Sequence, residues 1–246
     1  MKYLASFLAW IAGVTFVLLM LPLSFLIWFF VWPFDNNRVV FHRWLVFQSL
    51  VITWLIPSGP VQFEGLEKIK KGYNCVIISN HQSILDILIL NRMRVNFKWI
   101  SKIENTRVPV LGWYLKMAGY IPVERGNKES RAVMMEASVK VLKKGISIMI
   151  FPEGTRSADG EVGFFKQGAF ELAMITDKPI LPVVIDGTGK ILPRHSRIFN
   201  PGIPVKVKVL DPVFPGSFGT SDPAELAGEF RKMISGELKK MRSGIS

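Results

Sequence analysis

Cysteine is almost absent: Cys75 is the only one among 246 residues. A single thiol excludes an internal disulfide framework and any metal site built from several cysteines. It sits in the apolar run Cys75–Ile78, where a thiol reads as a small packed hydrophobe and not as a nucleophile. Histidine is scarce too. His42, His81 and His195 lie far apart, with no close ligand spacing, so no bound metal is expected. The chain lacks the Gly-x-Ser-x-Gly elbow of serine acyl-enzymes, and it contains no internal repeat and no low-complexity tract.

Charge is missing altogether from Leu4 to Trp32. That run exceeds the roughly 20 residues needed to cross a bilayer core. Pro22 lies inside it, where a proline removes one backbone hydrogen bond and favours a kink. Trp10, Trp28 and Trp32 stand near its ends, the depth at which amphipathic rings settle in lipid. A turn at Asp35-Asn36-Asn37 leads into a second apolar stretch, Val39–Ile56, which carries His42, Arg43 and Gln48 and ends at Pro57-Ser58-Gly59. Three readings are open for residues 1–60. A cleaved signal peptide lacks a convincing small-residue cleavage site. A spanning hairpin satisfies the length of the first run. Two helices folded together and sunk into one leaflet best fit the polar groups of the second.

The remainder is basic. Lys2, Arg38 and Arg43 against Asp35 leave +2 in the first sixty residues, so +10 of the net +12 belongs to residues 61–246. Such an excess favours a polyanion, and beside an apolar terminus it favours an anionic lipid surface over nucleic acid.

From residue 61 onward, apolar and β-branched runs alternate with helical stretches. Strands are expected at Val61–Phe63, Cys75–Ile78, Phe97–Ile100, Tyr120–Val123, Ile146–Phe151, Ile180–Ile185 and Val205–Leu210. Helices are expected at Ser83–Arg92, Val108–Ala118, Ser130–Lys144, Phe165–Thr176 and Pro223–Met241. This alternation defines an α/β domain over 61–246, with a mostly parallel or mixed sheet covered by helices and a two-helix membrane-associated segment before it.

Chemistry-bearing residues gather at the predicted strand ends. Asn80-His81-Gln82-Ser83-Ile84-Leu85-Asp86 follows one strand and opens a helix, where α/β sheets present ligand sites. A carboxylate reaching back to the imidazole would fix its tautomer and free the other nitrogen to take a proton. Taken singly, Asp86 reads equally well as a helix-capping carboxylate and His81 as an ordinary loop histidine. Phe151-Pro152-Glu153-Gly154-Thr155-Arg156-Ser157 ends another strand, with hydroxyls and a guanidinium suited to phosphate; a turn with a Glu153–Arg156 ion pair is the plainer alternative. Lys102 and Arg125 close two more strands. Four strand ends bearing one base and three cations together suit a phosphorylated substrate with an acceptor hydroxyl.

These blocks resemble the glycerolipid acyltransferase family. Residues 80–86 are similar to its His-x4-Asp motif and 151–157 to its Phe-Pro-Glu-Gly-Thr-Arg-Ser block. Gly119–Arg125 resembles its Gly-x-x-Phe-Ile-Asp-Arg motif, with Pro122, Val123 and Glu124 departing from the pattern and Arg125 retained. Ile180–Val183 resembles the fourth block, and order and spacing are kept from Cys75 to Gly187. The resemblance implies transfer of a fatty acyl chain from an acyl thioester to the sn-2 hydroxyl of 1-acyl-glycerol 3-phosphate (lysophosphatidic acid), giving phosphatidic acid. It implies His81 as general base, Asp86 as its orienting partner, and Lys102, Arg125, Glu153, Gly154, Thr155 and Arg156 around the phosphate. Acyl-carrier protein or acyl-CoA would be the donor substrate, with no bound cofactor. A bacterial inner membrane, with the catalytic domain on its cytoplasmic side, follows from such substrates. Glycerol 3-phosphate as acceptor is the alternative within the class. A membrane-anchored module that binds anionic lipid without turnover is the alternative outside it.

Overall fold

The computed structural model describes residues 1–70, 72, 74–93 and 95–244. All seven expected strands form: β1 (Val61–Glu64), β2 (Val76–Ser79), β3 (Phe97–Lys102), β4 (Ile121–Val123), β5 (Ser147–Ile150), β6 (Ile180–Asp186) and β7 (Val205–Val209). They make one sheet in the order β1-β7-β6-β2-β5-β3-β4. Every neighbouring pair is parallel except β6 and β7. The central strands are buried on both faces and read as unbroken apolar runs for that reason. Side chains of β2 alternate between two cores, Val76 and Ile78 on one side, Cys75 and Ile77 on the other.

The first core is covered by α5 (Lys128–Lys143), α6 (Gly168–Thr176) and α8 (Pro223–Ser243), with Phe165, Phe170 and Phe230 fully buried among them. The second lies under α3 (Leu85–Asn91) and the long connection from the short α7 (Thr188–Ile191) to β7, which contributes Leu192 and Phe199. A 3-10 turn at Ile103–Arg107 and α4 (Leu111–Ala118) join β3 to β4.

The N-terminal segment forms two helices, α1 (Lys2–Val31) and α2 (Val39–Leu55), and α1 continues through Pro22. Asp35 starts α2 by accepting from the amides of Val39 (2.7 Å) and Val40 (2.8 Å), as a carboxylate at a helix N-terminus should. α1 is long and apolar enough to cross a membrane by length and composition. Its outer face is apolar and exposed at Leu4, Phe7, Leu8, Ile11, Phe29 and Phe30.

The polar groups of α2, read from sequence as favouring a helix near headgroup level, have partners within the protein: His42 and Gln48 are buried and point into the body. The His42 Nε2 meets the Val95 carbonyl at 2.9 Å, and Gln48 shares a knot with Ser24 and Tyr114. Ser24 also accepts from the Trp44 indole at 2.8 Å. Buried polar groups need such partners, and these ones fasten the hairpin to the α/β body.

Candidate active site

His81 lies in the turn between β2 and α3, and Asp86 lies in the first turn of α3. The turn closes on the carboxylate. One oxygen of Asp86 accepts from the amides of Gln82 (2.7 Å) and Ser83 (2.9 Å) and meets Nδ1 of His81 at 2.8 Å. Its other oxygen accepts from the Thr188 hydroxyl of α7. Asp86 is fully buried, whereas the His81 side chain keeps 12% of its surface open. The carboxylate accepts, so Nδ1 carries the proton and Nε2 holds the lone pair. A buried carboxylate with this many donors is fixed in place, and it fixes the ring with it.

The other face of the imidazole is held by an aromatic ring. Phe151, at the end of β5, lies 3.9 Å from His81 between centroids and 8° from parallel. Trp99 of β3 stacks on Phe151 in turn at 5.1 Å. The Trp99 indole donates to Asn91 at 2.9 Å, and Asn91 donates to Ser49 of α2 at 2.9 Å. The base is thus supported by contacts that run from the sheet into the N-terminal hairpin.

Glu153 does something different from what its sequence position suggests. Grouped by its motif with the phosphate-binding residues, it is buried and turned inward. One oxygen accepts from the His81 amide at 2.8 Å and the other from the Gly163 amide at 3.0 Å. Burial raises the pKa of its carboxyl, and the two amides oppose that shift. The Ser157 amide donates to the His81 carbonyl at 2.8 Å, closing the same clamp. Asn80 completes it with both amide atoms on Ile185, 2.8 Å to the carbonyl and 2.9 Å from the amide.

His81 opens into a cavity of about 1250 Å³. Part of its wall is apolar, supplied by α1 and α2 through Ala9, Gly13, Val17 and Ile52. Part is basic. Lys102, Arg125, Lys128 and Lys166 line it together with Gly154. Glu153, Thr155 and Arg156 are not among the described residues of that lining. Arg156 is half-buried, and its carbonyl accepts from Arg194 at 2.8 Å. Lys102 carries an ion pair with Glu104 at 2.9 Å. Among the described residues no group of three His, Cys, Asp or Glu side chains is placed to hold a metal ion.

Of the sequence candidates, the structure therefore brings His81, Asp86 and Glu153 into direct contact, and sets Lys102, Arg125 and Gly154 around the same cavity as His81. Sequence reasoning missed Phe151 as a stacking partner, Thr188 as a donor to Asp86, and Lys166. Phe151 stood inside a motif already singled out. Thr188 carried no signal because it arrives on α7, after β6, and Lys166 carried none because it lies past the motif on the same β5–α6 connection.

A fixed histidine–aspartate pair thus stands at the carboxyl edge of an α/β sheet and opens on a cavity lined both by apolar side chains and by cations. The Acyltransferase family model matches residues 60–186, and the chain belongs to that family. It is 38% identical over 187 residues to a chloroplastic 1-acyl-sn-glycerol-3-phosphate acyltransferase of Brassica napus, covering 75% of this chain and 54% of the relative. It is 39% identical over 175 residues to the corresponding Arabidopsis thaliana protein, covering 70% and 49%. The chain thus spans about half the length of these plant relatives. The crystal structure of the 1-acyl-sn-glycerophosphate acyltransferase of Thermotoga maritima superimposes with a TM-score of 0.84 at 25% identity, covering 98% of this chain and 96% of that one.

Proposed function

We propose that this protein transfers a fatty acyl chain from an acyl thioester to the sn-2 hydroxyl of 1-acyl-glycerol 3-phosphate, giving phosphatidic acid. The observation that carries the reading is the His81 imidazole, held by Asp86 and Phe151, in the wall of a cavity that is also lined by apolar side chains and by cations. A lysolipid has the same two characters. Its acyl chain suits the α1–α2 wall, and its phosphate suits the part lined by Lys102 and Arg125. Arg156, in the neighbouring loop, adds positive potential there.

In the reaction, Nε2 of His81 accepts the hydroxyl proton as the oxygen attacks the thioester carbonyl. Asp86 keeps the ring oriented and offsets the imidazolium charge. The tetrahedral intermediate collapses with expulsion of the thiolate, which takes up the proton from His81. An ester forms, a thioester breaks, and no group on the protein is acylated. Acyl-carrier protein and acyl-CoA both supply such a thioester. The exposed apolar face of α1 supports attachment to the inner membrane, with the catalytic body on the cytoplasmic side.

The test is transfer of a labelled acyl chain in mixed micelles, from each donor, to lysophosphatidic acid and to glycerol 3-phosphate. Labelled phosphatidic acid is the expected product. Glycerol 3-phosphate as the better acceptor would overturn the choice of substrate, and transfer to neither acceptor would leave an anchored lipid-binding module.

A further inference from the structure

The acceptor's phosphate and its reacting hydroxyl are separated by a very short tether, two carbons and an ester oxygen. Whatever binds the phosphate must therefore stand close to His81. The sheet order measures that distance. His81 follows β2; the next strand is β5, then β3, then β4. With strands about 4.8 Å apart, Lys102 at the end of β3 starts roughly 10 Å from the base and Arg125 beyond β4 roughly 14 Å. Both reach toward the site from its far rim. The position next to His81 is taken by the β5 loop, whose Phe151 stacks on the imidazole.

A cation lies against that loop, further along the same connection from β5 to α6. The Lys166 amide donates to the Pro152 carbonyl at 2.9 Å, which pins its backbone to the β5 loop. Its side chain then crosses the loop at Gly154. A Cβ on that glycine would stand 3.2 Å from the Lys166 ammonium, so the lysine lies directly against the loop there. Gly154 also sits at φ +69, where a side chain is strained. Both Lys166 and Gly154 line the cavity that His81 opens into. Among the described residues Lys166, like Arg125 and Lys128, has no ion pair, whereas Lys102 is paired with Glu104 and Arg131, on the same lining, with Glu171.

We propose that Lys166 binds the phosphate of the acceptor beside His81 and makes the site specific for a phosphomonoester over a neutral glycerolipid. This rests on the functional reading above. Lys102 and Arg125 complete the phosphate's surroundings from the distal rim. The donor's phosphate is excluded from this position by its own geometry, since the pantetheine arm holds it far from the thioester.

The experiment compares wild type, Lys166→Met and Lys166→Arg for KM with lysophosphatidic acid and for KM with acyl-CoA, beside retention of labelled lysophosphatidic acid on immobilised protein without donor. Lys166→Met should raise the acceptor KM on the order of 10- to 100-fold and weaken retention equally, as expected for loss of one charge-assisted contact. The donor KM should stay put, and Lys166→Arg should recover most of the binding. An acceptor KM within about twofold of wild type, a rise shared by donor and acceptor, or a rise confined to the donor would each overturn the proposal. If wild type acylates only glycerol 3-phosphate, the functional reading fails, yet a Lys166→Met loss confined to that phosphorylated acceptor still upholds Lys166.

Discussion

The rings of His81 and Phe151 lie parallel to within 8° at 3.9 Å, while the edge of the same imidazole meets Asp86 at 2.8 Å. The two contacts constrain different motions. The carboxylate fixes which nitrogen is protonated and how the ring turns in its plane, and the phenyl face stops it from tilting into the cavity. Catalysis by a positioned base depends on both.

Removing the base gives the first prediction. His81→Ala should lower kcat by roughly 10²–10⁴-fold in the micelle assay. Asp86→Asn should act similarly: its amide oxygen can still accept from Gln82 and Ser83, but the negative charge that offsets the imidazolium is gone. Circular dichroism and membrane association should remain as in wild type for His81→Ala. Near-normal turnover by that variant would remove His81 from the role of base.

Phe151 separates orientation from proton transfer. Phe151→Leu keeps the apolar volume but gives up the stacked face, which aromatic pairs value at about 0.5–1.5 kcal/mol. The expected effect is a drop in kcat of about 2- to 10-fold with the acceptor KM little changed. A fall in thermal stability with kcat untouched would show that the ring only packs.

Gly112 supports the cavity wall from behind. A Cβ there would stand 2.1 Å from the Thr106 carbonyl oxygen, a backbone atom that cannot step aside. Gly112→Ala should destabilise by about 3 kcal/mol, the upper end for forced overpacking, read as the shift of urea unfolding in micelles. Tyr114 and Val110 of the same segment line the cavity, so turnover should fall with it. An unshifted midpoint would mean that the turn and α4 move apart without cost.

The fold was legible from residues 61 to 246 because strands buried on both faces are written as unbroken apolar runs, and β2 and β6 carry such runs without a polar break. The His81–Asp86 pair was legible because its members are five positions apart on one turn, so local geometry settles their contact. Glu153 was visible but misgrouped: its motif marked it, and only the approach of the Gly163 loop showed where the carboxylate points. Thr188 and Lys166 were illegible. One is about a hundred residues from its partner, and the other lies past the motif on the same β5–α6 connection, brought back to it only when the loop folds on itself. His42 and Gln48 were read as interfacial because polarity on an apolar helix has two explanations, lipid headgroups or buried partners, and the second needs residues such as Val95 and Tyr114 that sequence does not bring near.

Lys98 gives the last prediction, and its sign is fixed by burial. The side chain is 3% exposed and its ammonium donates to the carbonyls of Ala118 (2.8 Å) and Arg38 (3.4 Å), tying β3 to α4 and to the start of α2. Burial depresses its pKa from 10.5 to about 7; Asp35 opposes the shift and Arg38 adds to it. The native state thus releases this proton near pH 7, whereas the unfolded chain keeps it to about 10.5. Between those values the unfolded state binds more protons, so stability must rise with pH, by on the order of 1 kcal/mol per unit from this group. Lys98→Met removes the titration while keeping the apolar stem. Urea unfolding in micelles across that window should show a rising midpoint for wild type, and the variant should lack that increment. Parallel curves for the two proteins would mean that Lys98 stays charged in the fold, stabilised by its two carbonyls and Asp35 strongly enough to cancel its burial.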